Sequence, residues 1–148
     1  MENSKYDALE LKNQLCFPVY ALSREIVKKY RPYLDPLDLT YTQYIAMIVL
    51  WEVEKINVKD LGERLYLDSG TLTPVLKSLE SKGFISRKRN SSDERVLDVS
   101  LTEKGIALKD RAAHIPGELT KYVNLNHEEM RALYYAVYKL LERLKEIT

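Results

Sequence analysis

The sequence predicts a mostly α-helical chain that carries one small β-hairpin. Apolar residues recur at helical spacing along most of its 148 residues, and residues 84–101 instead alternate with the period of strands. Apolar residues make up 45% of the chain and charged residues 30%, which is typical of a globular domain and not of a membrane or disordered chain. We expect one domain over residues 1–148 that is cytoplasmic, because the N-terminal residues lack the pattern of a secretion signal.

Two helices are predicted before residue 54. One face of the first helix is apolar and consists of Leu15, Val19, Leu22, Ile26 and Tyr30. The pattern ends near Pro32, which disfavours a helical conformation in its predecessor. Pro18 allows either a helix that starts near Cys16 with the proline in its first turn, or a kink. The second helix, from 43 to about 53, can be capped by Thr40 or Thr42, and its apolar run predicts burial.

Two short helices separated by a tight turn follow, over residues 58–65 and about 69–82. Leu72, Leu76 and Leu79 belong to an apolar stripe that must face the core, and Gly83 can end the helix. The opposite face carries small hydrogen-bonding residues and one cation: Ser69, Gly70, Thr71, Thr73, Pro74, Lys77 and Ser78. Such a face can approach phosphates and base edges closely, as a helix in the major groove of DNA must.

The segment that alternates with strand periodicity completes the outline of a winged helix-turn-helix. Residues 84–89 and 96–101 predict two strands, and residues 90–94 form the tip between them. Residues 77–95 contain six basic residues against three acidic ones, although the whole chain carries a net charge of only +1. Basic charge, including Arg87, is therefore concentrated where DNA would lie.

The C-terminal third predicts further helices and a dimer. Thr102 can cap a helix from about 103 to 115, which Pro116 and Gly117 interrupt, and Asn126 with Glu129 forms a capping box for a last helix. The last helix, which runs almost to residue 148, has a long apolar stripe: Met130, Leu133, Tyr134, Val137, Leu140, Leu141, Leu144 and Ile147. A single chain cannot cover this stripe, so we expect a homodimer. The terminal helices, about 1–35 and 103–148, would dimerise, and residues 40–101 would bind DNA.

Cys16 is the only cysteine of the chain. It cannot form a disulfide within its own chain, and the distant His114 and His127 do not give it a metal-binding spacing, so we expect neither a metal nor a cofactor. A lone cysteine is usually inert packing. Cys16, however, lies close to a predicted helix N-terminus with Tyr20 one turn further on, and both features favour the reactive thiolate.

Four segments resemble the MarR family: Asn13–Phe17, Leu65–Pro74, Asp93–Arg95 and Ser100–Gly105. More narrowly they resemble its organic-hydroperoxide-resistance repressors of the one-cysteine type, because the chain lacks a second, resolving cysteine. The resemblance implies a MarR-like dimer that represses transcription from a pseudo-palindromic operator in double-stranded DNA. It also implies that an organic hydroperoxide oxidises the cysteine and that a low-molecular-weight thiol then reacts with it, which releases the DNA.

The resemblance implies roles for particular residues. Cys16 would be the redox sensor, Tyr20 and Tyr30 would hydrogen-bond it, and Tyr41 would line the same pocket. The DNA-binding residues would be Ser69, Thr71, Thr73, Pro74, Lys77, Asp93 and Arg95, to which the basic charge of the hairpin adds Arg87. Because Tyr30 lies about 21 Å from Cys16 along a straight helix, we expect it to reach the cysteine from the partner subunit.

Two other interpretations of Cys16 remain open at this point. The chain could be a one-cysteine thiol peroxidase, although that leaves the winged helix unexplained and Cys16 has no basic residue near it in sequence. It could also be a related regulator that answers to other oxidants or to a small phenolic or aromatic ligand, with Cys16 not the main sensor. We predict a regulator and not an enzyme.

Overall fold

The computed structural model describes residues 5–146 and confirms a mostly helical winged-helix fold. The α-helices in this range are α1 (Cys16–Leu34), α2 (Tyr41–Val53), α3 (Val58–Leu65), α4 (Ser69–Ser81), α5 (Glu103–Ala112), α6 (Ile115–Thr120) and α7 (His127–Glu146). The strands are β1 (Lys55–Asn57), β2 (Ile85–Arg89) and β3 (Leu97–Leu101). The chain forms two compact units that divide after Ile115.

The three strands form an antiparallel sheet in the order β1-β3-β2. Ile85 pairs with Leu101 and Arg89 with Leu97, so β2 and β3 form the expected hairpin. We call this hairpin and its tip the wing. The sequence did not predict β1, because three residues are too few to show a strand pattern. This strand pairs with β3 directly before α3 and so joins the wing to the helix-turn-helix.

The core of the first unit lies around α2. Ala46, Met47 and Leu50 are completely buried, as are Leu72 and Leu79 of α4. The predicted burial of α2 and the inward-facing stripe of α4 are both confirmed. Of the two threonines that could cap α2, Thr40 does so, and the helix begins at Tyr41 rather than near 43.

Helix α1 begins at Cys16 with Pro18 in its first turn, which is one of the two predicted arrangements. The predicted end near Pro32 was wrong, because the helix continues through this proline to Leu34. Burial of Leu34 at the end of the helix outweighs the one hydrogen bond that Pro32 cannot make. Leu34 is the only buried residue of α1, and its apolar face is exposed in the single chain.

The second unit contains most of α6 and all of α7. Pro116 and Gly117 were expected to interrupt a helix, but they lie inside α6, because proline at a second helical position loses no intrahelical bond. The predicted capping box of α7 is confirmed, since the Glu129 amide donates to Asn126 Oδ1 at 3.0 Å and the Asn126 amide to Glu129 Oε2 at 2.8 Å.

Helix α7 buries none of its described residues within the chain. Met130, Leu133 and Leu144 of its apolar stripe are 42–58% exposed, and Ile147 lies outside the described residues. The assignment of the terminal helices to dimerisation therefore stays a prediction. Within residues 5–146, no helix has the length and apolar character that crossing a membrane requires.

Candidate nucleic-acid interface and cysteine pocket

The N-terminal half of α4 presents a small, polar and accessible surface. Asp68 caps the helix by accepting the Thr71 amide at 2.8 Å, and this bond lowers the pKa of the Asp68 carboxyl below its ordinary value. Ser69, Thr71, Pro74 and Lys77 are exposed, whereas Thr73 is partly buried and its hydroxyl donates to the Ser69 carbonyl at 2.7 Å. These residues occupy the face that the sequence predicted for DNA.

Ser78 does not belong to that outer face, contrary to the sequence expectation. It is half-buried, and its hydroxyl accepts a hydrogen bond from Gln43 Nε2 of α2 at 3.0 Å. The expectation failed because Ser78 lies near the edge of the apolar stripe, where helical periodicity alone does not decide which way a small side chain turns.

The tip of the wing holds Arg95 outward. Its Nε donates to Asp93 Oδ1 at 3.1 Å and its Nη2 to Asp93 Oδ2 at 3.3 Å, while the arginine side chain stays 92% exposed. These hydrogen bonds lower the pKa of Asp93 below its ordinary value and so favour its charged form. The geometry gives Asp93 the role of orienting a guanidinium that points into solvent.

Arg87 has a different environment from Arg95. Its Nε and Nη2 donate to Glu80 Oε2 at 3.1 and 2.9 Å, its amide donates to Glu80 Oε1 at 2.9 Å, and its side chain is only 18% exposed. Arg87 therefore links β2 to α4 through Glu80. The same hydrogen bonds lower the pKa of Glu80. A direct contact of Arg87 with DNA stays a prediction.

The tip of the wing is held by polar contacts that the sequence reasoning missed. Asn90 Oδ1 accepts the amides of Ser92 and Asp93 at 2.8 and 3.2 Å, and Asn90 Nδ2 donates to Asp98 at 2.9 Å. Lys55 of β1 lies 3.1 Å from the same carboxylate. An asparagine at the start of a tip rich in serine was the available signal, because its side chain commonly stabilises such turns.

Cys16 is the first residue of α1 and is exposed. Tyr20, one turn later, is 61% exposed and packs against the Arg24 guanidinium at 5.6 Å. Cys16 and Tyr20 thus share an accessible helix end.

Tyr30, Tyr41 and Tyr44 form what we call the tyrosine cluster. The Tyr30 ring lies 4.8 Å from that of Tyr41 and 5.7 Å from that of Tyr44. Burial raises the pKa of Tyr30, and burial together with the neighbouring phenols raises the pKa of Tyr44 to about 12. These phenols stay protonated near neutral pH and remain hydrogen-bond donors. Tyr44 was missed at the sequence level because it lies in an apolar run that predicts only core packing.

The structure brings Tyr30 and Tyr41 together but not with Cys16 of the same helix. Cys16 opens α1, and Tyr30 lies fourteen residues later, or about 21 Å along the helix. Whether the partner subunit closes this gap stays a prediction. Among residues 5–146, no group of three histidine, cysteine or carboxylate side chains could hold a metal ion.

These features define a winged-helix DNA-binding protein: a helix-turn-helix, a polar outer face on α4 and a basic wing. Residues 24–112 match the family model of the transcriptional regulator SarA/Rot. The organic hydroperoxide resistance transcriptional regulator of Bacillus subtilis is 51% identical over 146 residues, which cover 99% of each chain.

Solved structures agree with this class. Reduced AbfR of Staphylococcus epidermidis bound to DNA is similar with a TM-score of 0.77 at 32% identity, over 95% of this chain and 98% of the other. A cysteine-to-serine mutant of MarR from Escherichia coli complexed with operator DNA is similar with a TM-score of 0.76 at 28% identity, over 94% and 99% of the two chains. The chain belongs to the MarR family of transcriptional regulators, in its organic-hydroperoxide-resistance subgroup of the one-cysteine type. It is a regulator and not an enzyme.

Proposed function

We propose that this chain is a homodimeric repressor that binds a pseudo-palindromic operator and leaves it when an organic hydroperoxide oxidises Cys16. The position of the only cysteine carries the proposal, because Cys16 is exposed at the first residue of α1. The relative from Bacillus subtilis supports the oxidant class by its name. The protein would act in the cytoplasm, where bacterial operator DNA is found.

In the reduced dimer, the two α4 helices would enter neighbouring major-groove segments and the two wings would enter the flanking minor grooves. The DNA-binding residues would be Ser69, Thr71, Thr73, Pro74, Lys77, Arg87, Asp93 and Arg95. The exposed Lys77 and Arg95 can neutralise phosphates or enter a groove, and the small side chains at the start of α4 permit close approach of its backbone.

The sensing chemistry would use one thiolate and two external reactants. The Cys16 thiolate attacks the terminal peroxide oxygen, so that a sulfur–oxygen bond forms, the oxygen–oxygen bond breaks and the organic alkoxide leaves as an alcohol after protonation. The sulfenic acid then condenses with a low-molecular-weight thiol, which gives a mixed disulfide and water. No second cysteine of the same chain is needed.

The pocket would be completed across the dimer. Apolar side chains of α1, including Val19, Leu22 and Ile26, are 40–48% exposed and would be covered by a second chain. The partner subunit's Tyr30 could then donate to the Cys16 thiolate, since its raised pKa keeps the phenol protonated. A bulky adduct on Cys16 would displace these groups. Lowering operator occupancy from about 99% to about 1% requires a loss of roughly 5.5 kcal/mol of binding free energy.

The proposal is tested by fluorescence anisotropy with operator DNA from upstream of the protein's own gene. Wild type and Cys16→Ser are compared before and after treatment with an organic hydroperoxide plus a small thiol, and mass spectrometry follows the adduct. We expect oxidation to release wild type, to leave Cys16→Ser bound, and to place one thiol adduct on Cys16.

Other results would favour different functions. If both proteins bind DNA and neither responds to oxidant, Cys16 is a packing residue and a regulator of small phenolic or aromatic ligands is the better interpretation. If hydrogen peroxide releases wild type as readily as an organic hydroperoxide, the sensor is general and not specific for organic oxidants. Failure of both proteins to bind any upstream segment contradicts the DNA-binding assignment for that site.

A further inference from the structure

Gln43 is one of two buried polar or charged residues among those described, and both of its polar atoms are used. Its side chain is 6% exposed, its Oε1 accepts from the Thr40 amide and from the Lys82 ammonium, each at 3.1 Å, and its Nε2 donates to Ser78 at 3.0 Å. Thr40 belongs to the capping box of α2, whereas Ser78 and Lys82 lie on and directly after α4. Gln43 therefore joins the start of the second helix to the helix that faces DNA.

The same turn of α2 supplies two members of the tyrosine cluster. Tyr41 and Tyr44 flank Gln43 in sequence and contact Tyr30 of α1. The capping box, in which Gln43 Oε1 and Thr40 Oγ1 exchange bonds with backbone amides, fixes the amide side chain to this turn. A displacement that moves Tyr41 and Tyr44 must therefore move Gln43 with them.

The bonds from Gln43 to α4 respond more sharply to such a displacement than the apolar contacts around them. Its bonds to Ser78 and Lys82 are 3.0 and 3.1 Å long, and a hydrogen bond is lost beyond about 3.5 Å. A shift of only about 0.5 to 1 Å along the bonds is enough to break them. The buried leucines Leu72, Leu76 and Leu79 of α4 can slide by the same amount and stay in contact, because apolar packing is not directional.

We propose that Gln43 is the positioning residue that couples the tyrosine cluster to α4. In the reduced protein it holds the helix in its DNA-binding orientation through Ser78 and Lys82, and it gives up these bonds when the cluster moves. This inference rests on the proposed function, because it assumes that oxidation of Cys16 displaces the cluster.

The test compares the Kd for operator DNA of reduced and oxidised protein in Gln43→Met and wild type, with the Tm of each. Methionine has a similar length and no hydrogen-bonding amide, so it removes the bonds to Ser78 and Lys82 with little change in volume. We expect the reduced variant to bind about tenfold more weakly, as the loss of two hydrogen bonds suggests, while the oxidised forms bind alike. The ratio of oxidised to reduced Kd then falls by about tenfold.

Two further variants keep the result interpretable. Gln43→Glu retains acceptors for Thr40, Lys82 and the Ser78 hydroxyl, and should restore most of the wild-type ratio. Ser78→Ala removes one of the two bonds from the side of α4 and should reduce the ratio of oxidised to reduced Kd by about threefold. Because Gln43→Met removes the same bond, the effects of the two substitutions should not add. Ser78→Ala also serves as the test if Gln43→Met does not fold.

The outcomes separate this inference from the proposed function. If wild type keeps its DNA after oxidation, the proposed function fails and the inference fails with it. If wild type is released but Gln43→Met lowers the Tm and weakens both redox forms equally, the ratio stays unchanged. Gln43 is then a structural residue only, and the inference alone is overturned.

Discussion

The DNA-facing part of the chain and the helix that carries Cys16 differ in how they are held. Arg87 is fixed by three hydrogen bonds to Glu80, and Arg95 is oriented by Asp93, all within one chain. In α1, by contrast, only Leu34 is buried, and Cys16 is exposed. The candidate DNA-facing surface is thus organised within a single subunit, whereas Cys16 and most of its helix lie exposed in the single chain.

The largest expected effect comes from crowding the buried contact between α5 and the start of the wing at Gly105. A Cβ at this position would lie 2.1 Å from the Phe84 carbonyl oxygen, so the backbone of either α5 or the start of the wing must shift. We expect Gly105→Ala to lower the free energy of unfolding by about 3 kcal/mol, measured by urea denaturation at one protein concentration. The matched control is Gly117→Ala, where nothing lies within 4 Å and a small gain is expected. Equal losses in both variants would contradict this packing argument.

The second largest effect is expected from a charge on the apolar face of α1. Ile26→Glu places a charge on the exposed apolar face of α1, and we expect the dimer to dissociate roughly tenfold to hundredfold more readily, as loss of one buried apolar side chain implies. Sedimentation over a concentration series measures this change. Lys28→Glu adds the same side chain on the opposite, polar face and should leave the dimer intact. A dimer that tolerates Ile26→Glu as well would place the interface away from this face of α1.

A smaller effect is expected when the outward-facing arginine of the wing is removed. Arg95→Ala should weaken operator binding by about tenfold and reduce the salt dependence of log Kd by about one charge. Lys121→Ala removes one cation from the second unit and should change neither quantity. If the two variants behave alike, Arg95 acts only through the overall charge of the protein.

The smallest effect concerns the ion pair between Glu80 and Arg87. The direction of the change in the Kd for DNA distinguishes two roles for Arg87. Glu80→Gln removes a negative charge beside the DNA-facing surface, which by electrostatics alone should tighten DNA binding. We expect binding to weaken by about threefold instead, because loss of a charge-assisted pair loosens β2 against α4. Anisotropy at a fixed salt concentration measures the Kd. Tighter binding would mean that Arg87 acts as a free phosphate ligand once Glu80 releases it.

Most of the fold could be predicted because its signals are local. The bounds of α3, the Asn126–Glu129 capping box and the tip of the wing depend on residues within four or five positions of one another. The failures had tertiary causes. The sequence predicted an end of α1 near Pro32, but burial of Leu34 extends the helix. Strand β1 exists because β3 supplies its hydrogen-bonding partner.

For the candidate site, the sequence by itself determined which residues are present and in what local setting. Helical periodicity and the following hairpin placed Ser69, Thr71, Lys77 and Arg95 on an outer face, and the single cysteine at a helix start followed from its position before Pro18. The tertiary structure decided which side chains already contact a partner within the chain. Arg87 is held by Glu80, Ser78 turns inward to Gln43, and Tyr30 packs with Tyr41 and Tyr44 rather than with Cys16 of its own helix. Helical or strand periodicity specifies the direction in which a side chain leaves its own backbone. The partner of that side chain lies on another segment, which only folding brings within about 3 or 4 Å.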